Sequence, residues 1–145
     1  GDSECVAAFR EAATRAEVVE LRCKGGPAGV VSALRQHLRV RDRATALYIL
    51  HPDHCVTAIG FLMSAGLSLP GDLSVICRDD EPYLALLHPE PTRYRHSPRT
   101  FGSKLAALVL RSAAHLGTGE RALVVPRLVT GATLTAAPPV PKRNR

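Results

Sequence analysis

The sequence contains no tryptophan, and aromatic residues make up only 4% of its 145 residues. Leu, Val, Ile and Ala must therefore form the core, which a single domain of this length is long enough to build. No apolar run approaches the ~20 residues that a membrane-spanning helix needs, and no signal peptide opens the chain. The sequence therefore predicts a cytoplasmic protein with no membrane partner.

Common catalytic motifs are also absent, including the G-x-S-x-G nucleophile elbow and a phosphate-cradling glycine loop. His51, Asp53, His54 and Cys55 are a dense set of side chains that could bind a metal. No second cluster with matching spacing accompanies them, and we expect Cys55 to turn inward. The chain is therefore predicted to be a binding module rather than an enzyme, with no catalytic residues, metal or cofactor.

No C-x-x-C pair occurs among the four cysteines, which are Cys5, Cys23, Cys55 and Cys77. Each is flanked by apolar or helix-forming residues, a pattern typical of buried thiols in a reducing compartment. We therefore expect no disulfide framework.

The formal net charge of +6 invites a comparison with nucleic-acid-binding proteins. Three of the cations, Lys142, Arg143 and Arg145, fall in a terminal segment (138–145) that resembles a disordered basic tail. Four arginines surround one predicted helix end, where cations favour the helix dipole. No basic patch is interleaved with base-stacking aromatics. Solvated charge is the favoured interpretation, and direct nucleic-acid binding by this chain is only weakly supported.

Apolar residues alternate between strand-like and helix-like periods along the chain. Strands are predicted at residues 18–23, 46–50 and 73–77, the last two buried in a parallel sheet. Helices are predicted after Asp2 or Ser3, from Pro27, from Pro52 or Asp53 to Gly66, and from Ser97 to Gly117. The inward face of the third helix is predicted to consist of Val56, Ile59, Leu62 and Met63. The segment EPYLALLHPEP (81–91) is predicted to form a helix of at most one or two turns, and residues 91–96 an extended strand. Pro126 interrupts the last strand, which is therefore expected at an edge or in a crossover.

This alternation of strands and helices predicts an α/β fold built of right-handed βαβ units with a mostly parallel sheet. Ligands of such sheets bind beyond the carboxyl ends of the strands. Two polar turns fall there: His51 to Asp53 after the second predicted strand, and Arg78 to Asp80 after the third. We expect these turns to lie side by side at one edge.

The segment GLSLPGDLSVICRDD (66–80) resembles the G-x-x-v-P-x-D-x-S-V-x-G-x-D-D segment of lactose-repressor-family (LacI-type) transcription regulators. ALYILHPDHCVTAIGFLMSAG stands where that family has A-N-D-x-x-A-x-G. PEPTRYRH is similar to P-P-L-T-T-v-x-Q, VVPRLVTGATLTAAP to l-P-x-x-L-v-x-R-x-S-t-x-P, and CVAAFREA to R-L-x-G-F-x-x-A. The resemblance runs from about residue 3 to about residue 138, with its pieces in the family's order.

The resemblance implies an incomplete, Rossmann-like, periplasmic-binding-protein-like lobe with a three-layer αβα sheet. Residues 1–137 would be part of an effector-binding and dimerisation domain, in which 97–117 is a helix that belongs to the first lobe. The first strand of this second lobe, most of the first lobe and the DNA-binding headpiece would be missing. The implied function is ligand sensing for a regulator whose DNA contact is made by that headpiece. A sugar-binding receptor of a transport system is the alternative.

The resemblance also implies an effector site for a sugar or related metabolite. Asp79 matches the family's ligand-contacting aspartate, His51 stands at its asparagine, and Cys5 stands at the arginine that clamps the effector. A turn role for Asp79 and a helix-capping role for His51 are the alternatives. Cys5 cannot make a bidentate charged contact, and Cys77 and Arg78 replace a glycine and an aromatic residue. These departures leave open whether the effector is a conventional sugar.

A homodimer is the last implication of the resemblance. The residues that correspond to the family's subunit interface are Val56, Tyr83, Leu86 and Leu87, for which core packing is the alternative. The helix at 97–117 would need a partner for its apolar stripe, and we expect self-association through it. That stripe includes Phe101, Leu105 and Leu108.

Overall fold

The computed structural model describes residues 1–114 and 121–136. The predicted tail at 138–145 and the predicted helix stop at Gly117 lie outside the described residues. Within the described part, the elements in chain order are α1 (Asp2–Ala12), α2 (Gly26–Leu38), β1 (Ala46–Ile49), α3 (Pro52–Ser64), β2 (Ser74–Cys77), a 3-10 helix (Pro82–Leu86), β3 (Thr92–Arg95), α4 (Pro98–Ala114) and β4 (Arg127–Val129). None of these helices is long and apolar enough to cross a lipid bilayer.

The described strands form one sheet in the order β1-β2-β3-β4. β1, β2 and β3 are parallel, and β4 is antiparallel to β3. Ile49 is opposite Cys77, so β1 and β2 end at the same level and their following turns meet at one carboxyl edge. Pro126 precedes β4 at the sheet margin, where a missing N–H costs no ladder bond. The predicted mostly parallel α/β fold is confirmed.

Side chains of β1 alternate between the two faces of the sheet. Tyr48 points to the face covered by α1, where its ring stacks on Phe9 with centroids 4.6 Å apart. Leu47 and Ile49 point to the other face and pack against the clusters formed by α2 and α3. With one helix on one face and two on the other, the sheet is the middle of three layers.

The buried face of α3 differs slightly from the predicted one. Cys55, Ile59 and Leu62 lie in the main core cluster, because positions i, i+4 and i+7 share one helical stripe. Val56 is only half-buried, and Met63, predicted to face inward, is exposed. The expectation for Met63 was therefore wrong, since the neighbouring Leu62 occupies the inward position.

Only two of the four cysteines are buried. Cys55 and Cys77 are fully buried, and a hydrogen bond to Cys77, together with burial, raises the pKa of Cys55, so that it stays a thiol. Cys5 and Cys23 are half-buried, which corrects the prediction that every thiol is buried. Both lie at the margin of the sheet rather than in its centre.

The strand predicted at 18–23 is not formed. Residues 17–24 run without helix, turn or bend, and no described residue pairs with them in a ladder. A strand needs a neighbour to satisfy its backbone groups, and these residues have none beside them. The β-branched pattern at 18–23 was therefore not sufficient by itself to form a strand.

The chain segment after β4 closes the other side of the sheet. Thr133 is fully buried, its carbonyl accepts from Val75 N–H (2.7 Å), and its hydroxyl donates to the Val75 carbonyl (2.7 Å). The same hydroxyl accepts from Thr92 N–H at 3.0 Å. Gly131 permits this close approach, because a Cβ there would lie 2.2 Å from the carbonyl oxygen of Glu90. The β2–β3–β4 side of the sheet is thus fixed by buried hydrogen bonds.

Candidate functional site

The turns after β1 and β2 are joined at the carboxyl edge by the first residue of α1. Asp2 Oδ1 accepts a hydrogen bond from Arg78 Nη1 (2.7 Å), and Asp2 Oδ2 lies 3.0 Å from His51 Nε2. The hydrogen bond from Arg78 lowers the pKa of Asp2, so the carboxylate is ionised at neutral pH. Asp2 thereby connects the His51 turn to the Arg78 turn.

Asp79 continues this chain of contacts on the other side of Arg78. Its Oδ2 atom accepts from Arg78 Nε (3.1 Å) and Nη2 (2.8 Å), and these bonds, together with that to Asp2, raise the pKa of Arg78 further. Among the hydrogen bonds of the described residues, none reaches Asp79 Oδ1. Asp79, Arg78, Asp2 and His51 therefore form one continuous polar row, each member partly exposed to solvent.

Cys5 lies one helical turn beyond Asp2, since residues three apart share a helix face. Its sulfur is 3.3 Å from the hydroxyl of Tyr48, which reaches it from β1. Burial and then the contact with Cys5 raise the pKa of Tyr48, so the phenol keeps its proton. Cys5 and Tyr48 thus form the inner wall beside the polar row.

His51 occupies the N-cap position of α3 but does not cap it with its side chain. Its backbone carbonyl accepts from Cys55 N–H, whereas its ring contacts Asp2 and the edge of the His54 ring, 5.3 Å away. Asp53 supplies the negative charge in the first helical turn, as expected. No three metal-ligating side chains converge anywhere in residues 1–114 and 121–136.

The second aspartate of the D-D pair enters a separate, buried cluster. Asp80 accepts hydrogen bonds from Arg93 and Arg95, and Arg93 also donates to Glu90 (2.8 Å) and to the Pro91 carbonyl (3.0 Å). The Arg93 side chain is only 1% exposed. Burial alone would raise the pKa of Asp80, but the hydrogen bonds from Arg95 and Arg93 outweigh it and lower the pKa.

The structure brings the three predicted site residues, Asp79, His51 and Cys5, to the same edge. Sequence reasoning missed how they are connected: it predicts Asp2 only as a helix cap, and Arg78 only as the start of a polar turn and a departure from a motif. A signal for Asp2 existed, because the helices of such a fold begin at the carboxyl edge of the sheet. No comparable signal identified Tyr48, which lies within an apolar run.

The predicted interface residues do not share one environment. Tyr83 and Leu86, both within the 3-10 helix, are 42% and 84% exposed. Val56 and Leu87 are half-buried and pack against the main core cluster. On α4, Phe101 and Leu105 are about half exposed, so an apolar surface is available there. Leu108 on the same helix is half-buried.

The model of the periplasmic binding protein-like domain family matches residues 3–134. No curated protein matched the sequence. Among solved structures, a LacI family transcriptional regulator from Bifidobacterium animalis subsp. lactis is similar, with a TM-score of 0.72 and 20% identity. That alignment covers 94% of this chain and 50% of the regulator.

Two sugar-bound regulators have the same fold. A LacI family regulator from Enterococcus faecium with bound ribose gives a TM-score of 0.63 at 20% identity, covering 78% of this chain and 42% of the regulator. The CelR regulator in complex with cellobiose gives a TM-score of 0.72 at 20% identity, and the alignment covers 90% of this chain and 42% of the regulator. This chain thus spans half or less of the length of these structures.

The family match and the shared fold confirm the resemblance to lactose-repressor-type regulators that was recognised from the sequence. The matched family is described by its likeness to binding proteins, and the absence of catalytic activity stays a prediction. The chain belongs to the periplasmic binding protein-like domain family.

Proposed function

We propose that this chain is the ligand-sensing and dimerising part of a LacI-type transcription regulator. Its effector would be a small polyhydroxylated molecule that binds at the carboxyl edge and contacts Asp79, His51 and Cys5. The observation that carries this proposal is the continuous polar row from Asp79 through Arg78 and Asp2 to His51. DNA contact would be made by a headpiece outside this chain.

The row is held together by hydrogen bonds and ion pairs within the chain, and side chains positioned in this way lower the cost of binding. Arg78 holds the Asp79 carboxylate through Oδ2 alone and leaves the Oδ1 atom as an acceptor for a hydroxyl group. His51 uses Nε2 towards Asp2, so Nδ1 is directed to other partners. Carboxylate and imidazole groups beside each other suit the paired hydroxyls of a sugar.

The wall beside the row sets a limit on the ligand. Cys5 and Tyr48 contribute a thiol and a phenol, both uncharged, where the related regulators would place a cationic clamp. Two carboxylates, Asp2 and Asp79, share the single guanidinium of Arg78. This balance disfavours an anionic effector and favours a neutral sugar, the class bound by the ribose and cellobiose complexes.

Dimerisation would use the exposed apolar side chains of Tyr83 and Leu86 together with Val56 and Leu87. Exposed apolar patches of this kind mark interaction surfaces in soluble proteins. In a two-lobed regulator, the effector changes the relative populations of two lobe arrangements. Because that change needs both lobes, we expect this chain to bind an effector without switching on its own.

A titration of the chain with ribose and with cellobiose, followed by NMR, tests the site. We expect shifts of the His51 and Asp79 signals, and Asp79→Asn should weaken binding by about tenfold, the equivalent of one charged hydrogen bond. Asp42→Asn, an exposed carboxylate in the turn before β1, is the matched control and should leave the affinity unchanged. Equal loss in both variants, or no shift with either sugar, would refute the proposed site.

A further inference from the structure

Two buried cysteines lie next to each other behind the polar row. Cys55 is the fourth residue of α3, and Cys77 is the last residue of β2. Both side chains are fully buried and belong to the same core cluster, and a hydrogen bond joins their thiols. A single buried cysteine behaves as a small apolar residue, whereas two thiols in contact can also react with each other.

The fold brings these thiols together from two separate elements. Ile49, the last residue of β1, is the partner of Cys77 in the parallel register. The chain then enters α3 at Pro52, so the first turn of α3 stays at the carboxyl edge of the sheet. Cys55 N–H donates to the His51 carbonyl (3.0 Å), which fixes Cys55 in that turn. The pair therefore lies where the turns after β1 and β2 meet.

The surroundings of the two thiols differ. The hydrogen bond from Cys55 lowers the pKa of Cys77 against the opposing effect of burial, and the Asp79 backbone N–H is a second donor to Cys77. The hydrogen bond to Cys77, together with burial, raises the pKa of Cys55. The thiolate is the nucleophilic form of cysteine. Cys77 is therefore placed as the attacking sulfur, and Cys55 as the thiol that keeps its proton.

The other two cysteines have no such partner. Cys5 contacts the hydroxyl of Tyr48 (3.3 Å), and Cys23 contacts the Leu21 carbonyl (3.8 Å). Both are half-buried, and within the described part of the chain neither contacts a second sulfur. The chain thus combines two single, accessible thiols with one enclosed pair. Cys77 also stands where the lactose-repressor motif has a glycine, so this pair is not part of that motif.

We infer that Cys55 and Cys77 are a reversible oxidation site, at which a hydroperoxide converts the two thiols into a disulfide. Cys77 directly precedes the half-buried turn from Arg78 to Asp80. A small, neutral oxidant therefore reaches its sulfur through local opening of that turn rather than through unfolding of the whole chain. This inference does not rest on the proposed function, because the thiols react whether or not a ligand binds nearby.

The reaction balances in two steps. The Cys77 thiolate attacks one oxygen of the hydroperoxide, so an S–O bond forms, the O–O bond breaks, and the other oxygen leaves as hydroxide or alkoxide and takes up a proton. The Cys55 thiol then attacks the sulfenic acid sulfur of Cys77. An S–S bond forms, the S–O bond breaks, and the oxygen leaves as water with the Cys55 proton. The two sulfurs together lose the two electrons that reduce the hydroperoxide.

The disulfide connects the two turns that hold the polar row. Cys55 is bonded through its N–H to His51, and Cys77 is followed directly by Arg78 and Asp79. Oxidation therefore fixes the spacing between these turns by a covalent bond. We expect the backbone NMR signals of both turns to shift when the unmodified chain is oxidised, and to stay in place in Cys77→Ser under the same treatment.

Treatment of the folded chain with hydrogen peroxide tests the inference. In a chain that carries Cys5→Ser and Cys23→Ser, the accessible thiols cannot form disulfides between molecules. We expect mass spectrometry to show the loss of two hydrogen atoms, a linked pair of peptides containing Cys55 and Cys77, and full reversal by a dithiol reductant. Oxidation that occurs only after unfolding in urea, or that gives sulfinic acid and no linked peptides, would overturn the inference.

Single serine variants separate the roles of the two sulfurs. Cys55→Ser leaves Cys77 without a second thiol, so its sulfenic acid should accumulate and be trapped by dimedone. Cys77→Ser should give at least about tenfold less trapped product, because Cys55 keeps its proton. Cys5→Ser is the matched control and should leave the rate of disulfide formation unchanged. Equal trapping at Cys55 and Cys77, or a rate of linking that rises with protein concentration, would contradict an internal site with these roles.

Discussion

The two sides of β2 differ in how completely their polar groups are partnered. Towards β3 and β4, Thr133 and Arg93 are buried, and their hydrogen bonds connect separate chain segments. Towards β1, Arg78 and Asp2 form their ion pairs at a solvent-exposed edge, and no hydrogen bond between described residues reaches the peptide groups of Ala46 and Tyr48. Closed packing stabilises the first side, whereas the second has groups and space available for binding.

Adjacent aspartates show this difference within one motif. Asp80 turns towards β3, where Arg93 and Arg95 enclose it and leave its side chain 12% exposed. Asp79 turns the other way, where Arg78 holds it through one oxygen and its side chain is 36% exposed. The sequence pattern D-D therefore combines a residue that stabilises the fold with a residue that is accessible to a ligand.

Replacing the two arginines tests the comparison with the largest expected effect. Arg93→Met should lower the free energy of unfolding by about 3–5 kcal/mol, because it removes the buried partner of Asp80, whose side chain is only 12% exposed. Arg78→Met, whose carboxylate partners are exposed, should cost no more than about 1 kcal/mol. Urea denaturation of both variants measures these losses of unfolding free energy. Similar losses in the two variants would contradict the difference in stabilisation between the Arg93 cluster and the Arg78 cluster.

The hydroxyl of Thr133 provides a test of intermediate size. Thr133→Val keeps the shape but removes the partner of Thr92 N–H and of the Val75 carbonyl, so it should cost about 2–3 kcal/mol. Thr133→Ser keeps the hydroxyl and loses a methyl group, which costs only about 1 kcal/mol. Thermal unfolding ranks the two, and a larger loss in the serine variant would mean that packing dominates.

The dependence of the unfolding free energy on acid pH, through Asp80, should be the smallest of the three stability effects. Burial raises the folded-state pKa of Asp80, but the hydrogen bonds from Arg95 and Arg93 lower it by more, so the pKa lies below the ordinary carboxyl value of 3.8. The ionised form therefore stabilises the fold above pH 3.8, and this stability is lost as the pH falls from 3.8 through the folded-state pKa. Each tenfold difference in acidity between the folded and unfolded chain corresponds to about 1.4 kcal/mol.

Asp80→Asn isolates this contribution. Its unfolding free energy should depend less on pH below about 4 than that of the unmodified chain. Asp2→Asn is the control: the pKa of Asp2 is also lowered, but its side chain is about half exposed, so the acid dependence should be retained. An unchanged acid dependence in Asp80→Asn would contradict the buried role of this carboxylate.

Local patterns predicted most of the elements correctly. Pro27, Pro52 and Pro98 each stand in the first turn of a helix, and the Ser97 hydroxyl accepts from Thr100 N–H (3.2 Å) as an N-cap should. The apolar runs around β1 and β2 form parallel strands as expected. These signals depend on neighbours within a few residues, which the sequence contains in full.

Residues 17–24 and Met63 show where this reasoning fails. The β-branched residues of the first segment favour a strand, but a strand forms only beside a partner, and no described residue pairs with this segment. Met63 fits an apolar stripe equally well from the pattern, yet the packing of α3 on the sheet selects Leu62 instead. Each outcome depends on contacts between distant segments.

The sequence by itself determined the α/β class, the common edge of the His51 and Asp79 turns, and the resemblance to LacI-type regulators. Only the tertiary structure decided that Asp2 and Arg78 connect those turns, and that Asp80 is buried. The physical reason is distance along the chain: Asp2 and Arg78 are 76 positions apart, and only folding brings their charges to 2.7 Å.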